Sequence, residues 1–98
     1  MYIYHFRPTL GYQGITLAGT FDSLTKELKV SIARCNKKDQ FCKKTGRKIA
    51  EERCYKGEYF MKLSFPQITE LDTRLFVDTA QFILAYIVFK NKYLSFWN

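Results

Sequence analysis

The chain has 98 residues and 11.6 kDa, is 47% hydrophobic, 17% aromatic and 26% charged, and carries a net charge of +7. That length holds one domain, 1–98, and the apolar content is too high for a disordered chain. The longest apolar run, Phe82 to Phe89, is far short of the roughly 20 residues of a membrane span, and without an internal repeat there is no solenoid.

Met1 to Arg7 is a short, aromatic, β-prone run; Pro8 ends it, and Gly11 and Gly14 mark a loop. Ile15, Leu17, Gly19 and Phe21 then alternate with Thr16, Ala18 and Thr20, the period of a strand with one apolar face. Asp22-Ser23-Leu24-Thr25 supplies turn residues. A second strand follows from about Glu27 to Cys35, with Leu28, Val30 and Ile32 inward and Glu27, Lys29 and Ser31 outward, so the two runs predict an antiparallel hairpin.

From Lys38 to Cys54 the period becomes helical, through Phe41, Cys42, Thr45, Ile49, Ala50 and Cys54, with Asp39 as N-cap. Gly46 costs a helix about 1 kcal/mol relative to Ala. Either it divides a first turn from a second helix capped by Thr45, or it lets a backbone or a phosphate come close. Tyr55 to Phe65 returns to strand-like alternation, with Tyr55, Gly57, Tyr59, Met61, Leu63 and Phe65 on one side, until Pro66 stops it.

Thr69 as N-cap with Asp72 at N3 opens a helix that reaches about Lys90. Leu71, Leu75, Thr79, Phe82, Tyr86 and Phe89 form one predicted stripe, with Phe76, Ile83 and Ile87 beside it. Glu70 and Asp72 near its start and Lys90 and Lys92 near its end suit the macrodipole. Its last two turns are apolar on nearly every side, which predicts a core helix on the sheet; a buried strand over Phe82 to Phe89 competes with that reading. Tyr93 to Trp97 reads as a short last strand or an anchoring tail. The sum is an α+β fold: a small antiparallel sheet of three to five strands with two helices, one basic and one a buried core helix.

The charge is concentrated. Residues 34–56 hold nine cations against three acids, Asp39, Glu51 and Glu52, for a net +6, while the other 75 residues together reach +1. Such a patch implies an anionic partner. The candidate binding residues are Lys37, Lys38, Lys43, Lys44, Arg47, Lys48 and Arg53. Arginine suits phosphate because its planar fork donates two parallel hydrogen bonds, while lysine supplies a point charge. Lys43 with Arg47 and Lys44 with Lys48 are like-charged i,i+4 pairs, a mild repulsion that a ligand-binding helix tolerates. Arg47 and Arg53 are expected to reach one general side. Tyr55 and Tyr59 read as core, or as base-stacking platforms if they face outward.

Other chemistry finds little support. Cys35, Cys42 and Cys54 are an odd number with spacings unlike a zinc knuckle, and the start shows no signal-peptide pattern. Buried reduced thiols in a cytosolic protein are the expectation, with neither metal nor cofactor. His5, the single histidine, sits in a strand-like stretch with nothing that places a thiol beside it. Glu51 and Glu52 are adjacent on a helix and point apart, and no phosphate-cradling glycine motif occurs. The chain reads as a non-enzyme.

The stretch Ala33 to Arg53 resembles a pattern of small bacteriophage accessory proteins, in which a strand runs into an Asp-x-Phe turn and a Gly-Arg-x-x-Ala-x-x-Arg helix. Asp39, Phe41, Gly46, Arg47, Ala50 and Arg53 match it, over about a fifth of the chain. The resemblance carries over no catalytic residue. It implies a small non-enzymatic protein that redirects or blocks host machinery in the cytoplasm of an infected bacterium. Two functions follow. In one, the basic segment binds nucleic acid or a nucleic-acid-handling host complex. In the other, the chain inhibits a host defence system by protein–protein contact, as an anti-CRISPR-like or other counter-defence protein does. No membrane partner is expected, and exposed strand edges allow a homodimer.

Overall fold

The computed structural model describes residues 1–8, 14–35 and 42–93. Along the chain run strands β1 (Tyr2–Phe6), β2 (Ile15–Asp22) and β3 (Glu27–Arg34), helix α1 (Lys43–Tyr55), strand β4 (Met61–Ser64) and helix α2 (Thr73–Tyr93). The four strands form one antiparallel sheet in the order β1-β2-β3-β4. The fold is therefore α+β with two helices, and Phe82 to Phe89 is helix. The predicted N-cap Asp39, Phe41 and most of the proposed terminal strand lie outside the described residues.

The hairpin of β2 and β3 has the predicted turn. The Asp22 carboxylate accepts the Leu24 amide at 2.9 Å and the Thr25 amide at 3.4 Å, which holds its pKa below the usual value. Leu17 stands opposite Ile32 and Ala18 opposite Ser31. Paired residues share a face, so Ile15, Leu17, Val30 and Leu28 line one side and Thr16, Ala18, Ser31 and Ala33 the other.

The polar, predicted-outward side proves to be covered. Thr16, Ala18 and Ser31 are fully buried and Ala33 nearly so. Helix α1 lies over them, with Ala50 and Cys54 completing a second, small-residue core. The larger core lies on the opposite face, where Phe76, Ala80, Ile83 and Ile87 of α2 meet Phe6, Ile15, Leu17, Leu28 and Val30. One helix on each face explains why five consecutive residues of β2, Ile15 to Gly19, are buried.

Gly46 decides between its two sequence readings. It lies inside an unbroken α1, and a Cβ there would stand 2.3 Å from Thr16 Oγ1. The glycine brings the helix backbone against the sheet; no second helix starts at Thr45. The helix begins after Cys42, whose backbone is extended.

Three further expectations are corrected. Tyr55 ends α1, and the chain turns at Gly57 (φ 77°), so only Met61–Ser64 of the alternating run is strand. Helix α2 is capped by Asp72, whose carboxylate accepts the Leu75 amide at 2.7 Å, and so starts three residues after the expected position. Its inner stripe is Phe76, Ala80, Ile83 and Ile87 with Thr79; Phe82 (63% exposed), Phe89 (57%) and Tyr86 (37%) of the predicted stripe face outward.

Candidate functional site

Helix α1 presents most of the predicted cations. Lys37 and Lys38 lie outside the described residues. Lys43, Lys44, Arg47, Lys48 and Arg53 are all exposed, but they do not form one cluster. At 3.6 residues per turn, Lys44, Lys48 and Tyr55 share one outward stripe away from buried Ala50 and Cys54. Tyr55 is 76% exposed, so it belongs to the solvent face and not to the core.

Arg47 and Arg53 take opposite flanks, because six residues are a third of a turn out of phase. Arg47 leans toward β1 and pairs with Glu51, Nε to Oε1 at 2.5 Å, an exposed i,i+4 bridge worth a few tenths of a kcal/mol. Arg53 leans toward β3. That strand outruns the four-residue β4, and Arg53 donates to the Ile32 carbonyl at 2.6 Å. Arg53 thus has a structural task. Arg34, at the end of the same strand, has its pKa lowered by burial and by the neighbouring Arg53.

The structure adds cations that the basic segment does not contain. Lys29 and Lys62 stand directly opposite each other on β3 and β4, on the same face of the sheet as α1. Both ammonium groups lie 5.7 Å from the Tyr59 ring centroid, so one aromatic ring is shared by two cations. Tyr59 itself packs, half-buried, against the small core. No spacing rule links Lys29 to Lys62; only the strand register does. The Arg47–Glu51 pair, by contrast, has an i,i+4 signature that sequence alone could have shown.

The sheet is electrically two-sided. Helix α1 carries five cations, Lys43, Lys44, Arg47, Lys48 and Arg53, against Glu51 and Glu52, and the strands on its side add Lys29 and Lys62 beside Asp22 and Glu27, whereas the described charged side chains of α2 and its cap are Asp72, Asp78, Arg74 and Lys90, two of each sign.

His5 lies beneath the start of α1, its Nδ1 2.8 Å from Thr16 Oγ1. Burial, followed by the charges of Lys43 and Arg47, lowers its pKa below 6.5. The folded state therefore favours neutral imidazole. Its contribution to stability is present in full above about pH 6.5 and is lost as pH falls through the lowered value. Melting temperatures at pH 7.5 and 5.5 are expected to differ more for the wild type than for His5→Gln; equal differences would show that His5 has no part in the acid response.

The three cysteines are free thiols in different settings. Cys54 is buried in the small core, 3.9 Å from the Thr20 hydroxyl, and acts as a small hydrophobe as expected. Cys42 is exposed, against expectation; the Thr45 amide and hydroxyl and the Lys44 amide lower its pKa below 9.0. Cys35 is half-buried. Among the described residues no group of His, Cys, Asp and Glu could hold a metal ion, and no helix is long and apolar enough to cross a membrane. The chain matches no protein-family model, no curated protein and no solved structure.

Proposed function

We propose that this chain is a small non-enzymatic accessory protein of the phage type, which binds nucleic acid, or a complex that handles it, through the α1 side of its sheet. The observation that carries the reading is the two-sided charge: α1 holds five cations against two acids, while the described charges of α2 and its cap balance. Lys44 and Lys48 supply phosphate contacts on the outward stripe, Tyr55 offers a stacking face beyond them, and Lys37 and Lys38 adjoin in sequence.

Fluorescence anisotropy with labelled single-stranded and duplex DNA at about 50 and 200 mM salt tests this, because each neutralised phosphate releases counterions. For Lys44→Glu/Lys48→Glu, affinity is expected to fall at least about tenfold and the slope of log K against log salt to shrink by roughly two, with the melting temperature nearly unchanged. Arg53→Ala should instead lower stability by about 1 kcal/mol, because it removes the bond to Ile32. Binding that ignores both salt and the lysine reversals would end the proposal.

A second reading, inhibition of a host defence system by protein contact, is favoured by one observation. Ile49 is 37% exposed on α1, and an aliphatic side chain suits a protein surface better than a phosphate backbone. Retention of a defined host protein from nuclease-treated lysate, lost in Ile49→Asp, would select it.

A further inference from the structure

We infer that the outward stripe of α2 is a self-association surface, whose occupant is a second copy of this chain packed antiparallel across a two-fold axis. Phe82, Ala85, Tyr86 and Phe89 follow one another at helical-face spacing, and all are exposed. Each aromatic at this exposure offers on the order of 100 Å². The three together make about a third to a half of the roughly 800 Å² that each partner buries in a stable complex, enough for the apolar centre of a small interface.

The pattern is complementary to its own reverse. In the antiparallel register that sets Phe82 against Phe89 of the second copy, the two copies of Ala85 meet on one flank of the axis and the two copies of Tyr86 on the other, so the small residues let the helices approach. Beside Phe82 a shallow groove runs between β4 and α2, lined by Leu63, Phe65 and Thr79, and this register brings the second copy's Phe89 to its mouth. Isologous packing of this kind is what a two-fold interface requires.

Charge favours a second copy as the occupant. Two chains of +7 repel wherever their basic sides meet. The α2 stripe lies on the other side of the sheet, bordered by Asp78 toward its N-terminal end and Lys90 at its C-terminal end, beside the Tyr86 ring. An antiparallel copy brings the acidic end of each stripe toward the basic end of the other. The strand edges β1 and β4, with five and four residues, offer shorter seams. Joined through α2, the two α1 helices face outward in opposite directions, giving one particle two separate cationic surfaces.

Sedimentation velocity of the full chain from about 1 to 500 μM tests the inference. Wild type is expected to pass from monomer to dimer, more readily at 500 mM salt than at 50 mM because screening removes the residual repulsion. Phe82→Glu should weaken the dimer at least a hundredfold while the melting temperature of the monomer stays within a few degrees, since the ring is mostly exposed. Ala85→Cys in a Cys42→Ser background should form an interchain disulfide under mild oxidation, because position 85 lies next to the axis. A chain that stays monomeric at 500 μM, or a dimer indifferent to Phe82→Glu, overturns the inference; a stripe covered by a different protein would show as the first outcome. The inference is independent of what α1 binds: Lys44→Glu/Lys48→Glu should dimerise normally, so failure here leaves the anisotropy result standing.

Discussion

Replacing Gly46 with leucine is expected to lift α1 from the sheet and lower stability by about 3 kcal/mol or more. The position faces Thr16, a fully buried, β-branched residue of a central strand, and even a bare Cβ would lie 2.3 Å from its hydroxyl oxygen. Thr16 has little freedom to yield, because its hydroxyl is held by His5 and its backbone lies between β1 and β3. Overpacking of this kind costs about 1–3 kcal/mol for small insertions and more for a whole side chain. Gly46→Ala sets two effects against each other, a gain of about 1 kcal/mol in helix propensity and the steric loss at Thr16. The steric loss is expected to win, leaving a net decrease of about 1 kcal/mol. At about 4–8 °C per kcal/mol for a chain of this length, the leucine variant should melt some 12–24 °C below wild type. Adding Thr16→Ala should recover part of the Gly46→Ala loss, a coupling that a double-mutant cycle reads directly. A Gly46→Leu protein that melts like wild type would refute the close approach of α1 to β2.

Phe76→Ala should produce a comparable or larger loss on the other face. The ring is 1% exposed, stacks on Tyr2 with centroids 5.3 Å apart, and lies so close over Gly19 that a Cβ there would meet it at 2.6 Å. Nothing around the vacated space can collapse easily. Tyr2 is tethered by its hydroxyl, which donates to the Leu71 carbonyl, and Gly19 has no side chain to fill the gap. Truncations of this type cost about 3–5 kcal/mol, a large share of the 5–15 kcal/mol that a small domain commands. The melting temperature should fall by roughly 15–30 °C, measured by circular dichroism at 222 nm. A fall of only a few degrees would mean that α2 does not seat Phe76 where it is described.

The hairpin and the existence of both helices were legible because their signals are local: strict alternation from Ile15 to Phe21, the Asp22 turn, and the helical period through Ala50 and Cys54. What escaped was which surfaces are covered. Thr16, Ser31 and Ala18 look like a solvent face under a period-two pattern, yet small residues of this kind are what a closely packed helix needs beneath it. The stripe of α2 was misplaced because a helix apolar on nearly every side has no single preferred face; Phe76 and Ile83 look inward only because Gly19 and Leu28 receive them. Tyr55 was assigned to a strand because alternation continues by chance across the end of α1. Thr69 has the residue type of a cap, but Asp72, expected at N3, has it too and takes the role. At the basic surface, the lysines of α1 could be listed in advance, but the addition of Lys29 and Lys62 comes from register, which pairs residues 33 positions apart.

The two cores are unequal in what they hold. Beneath α2 lie phenylalanine, leucine and isoleucine; beneath α1 lie alanine, serine and threonine, with Gly46 of the helix seated directly on Thr16. Detaching α1 uncovers little hydrocarbon, so that layer is expected to open at a smaller free-energy cost than the whole domain, and its amide protons should exchange with solvent ahead of those of α2 and the central strands. The layer that bears the lysines is thus the one with the least hydrocarbon beneath it, and a polyanion laid along it would tighten the layer it touches.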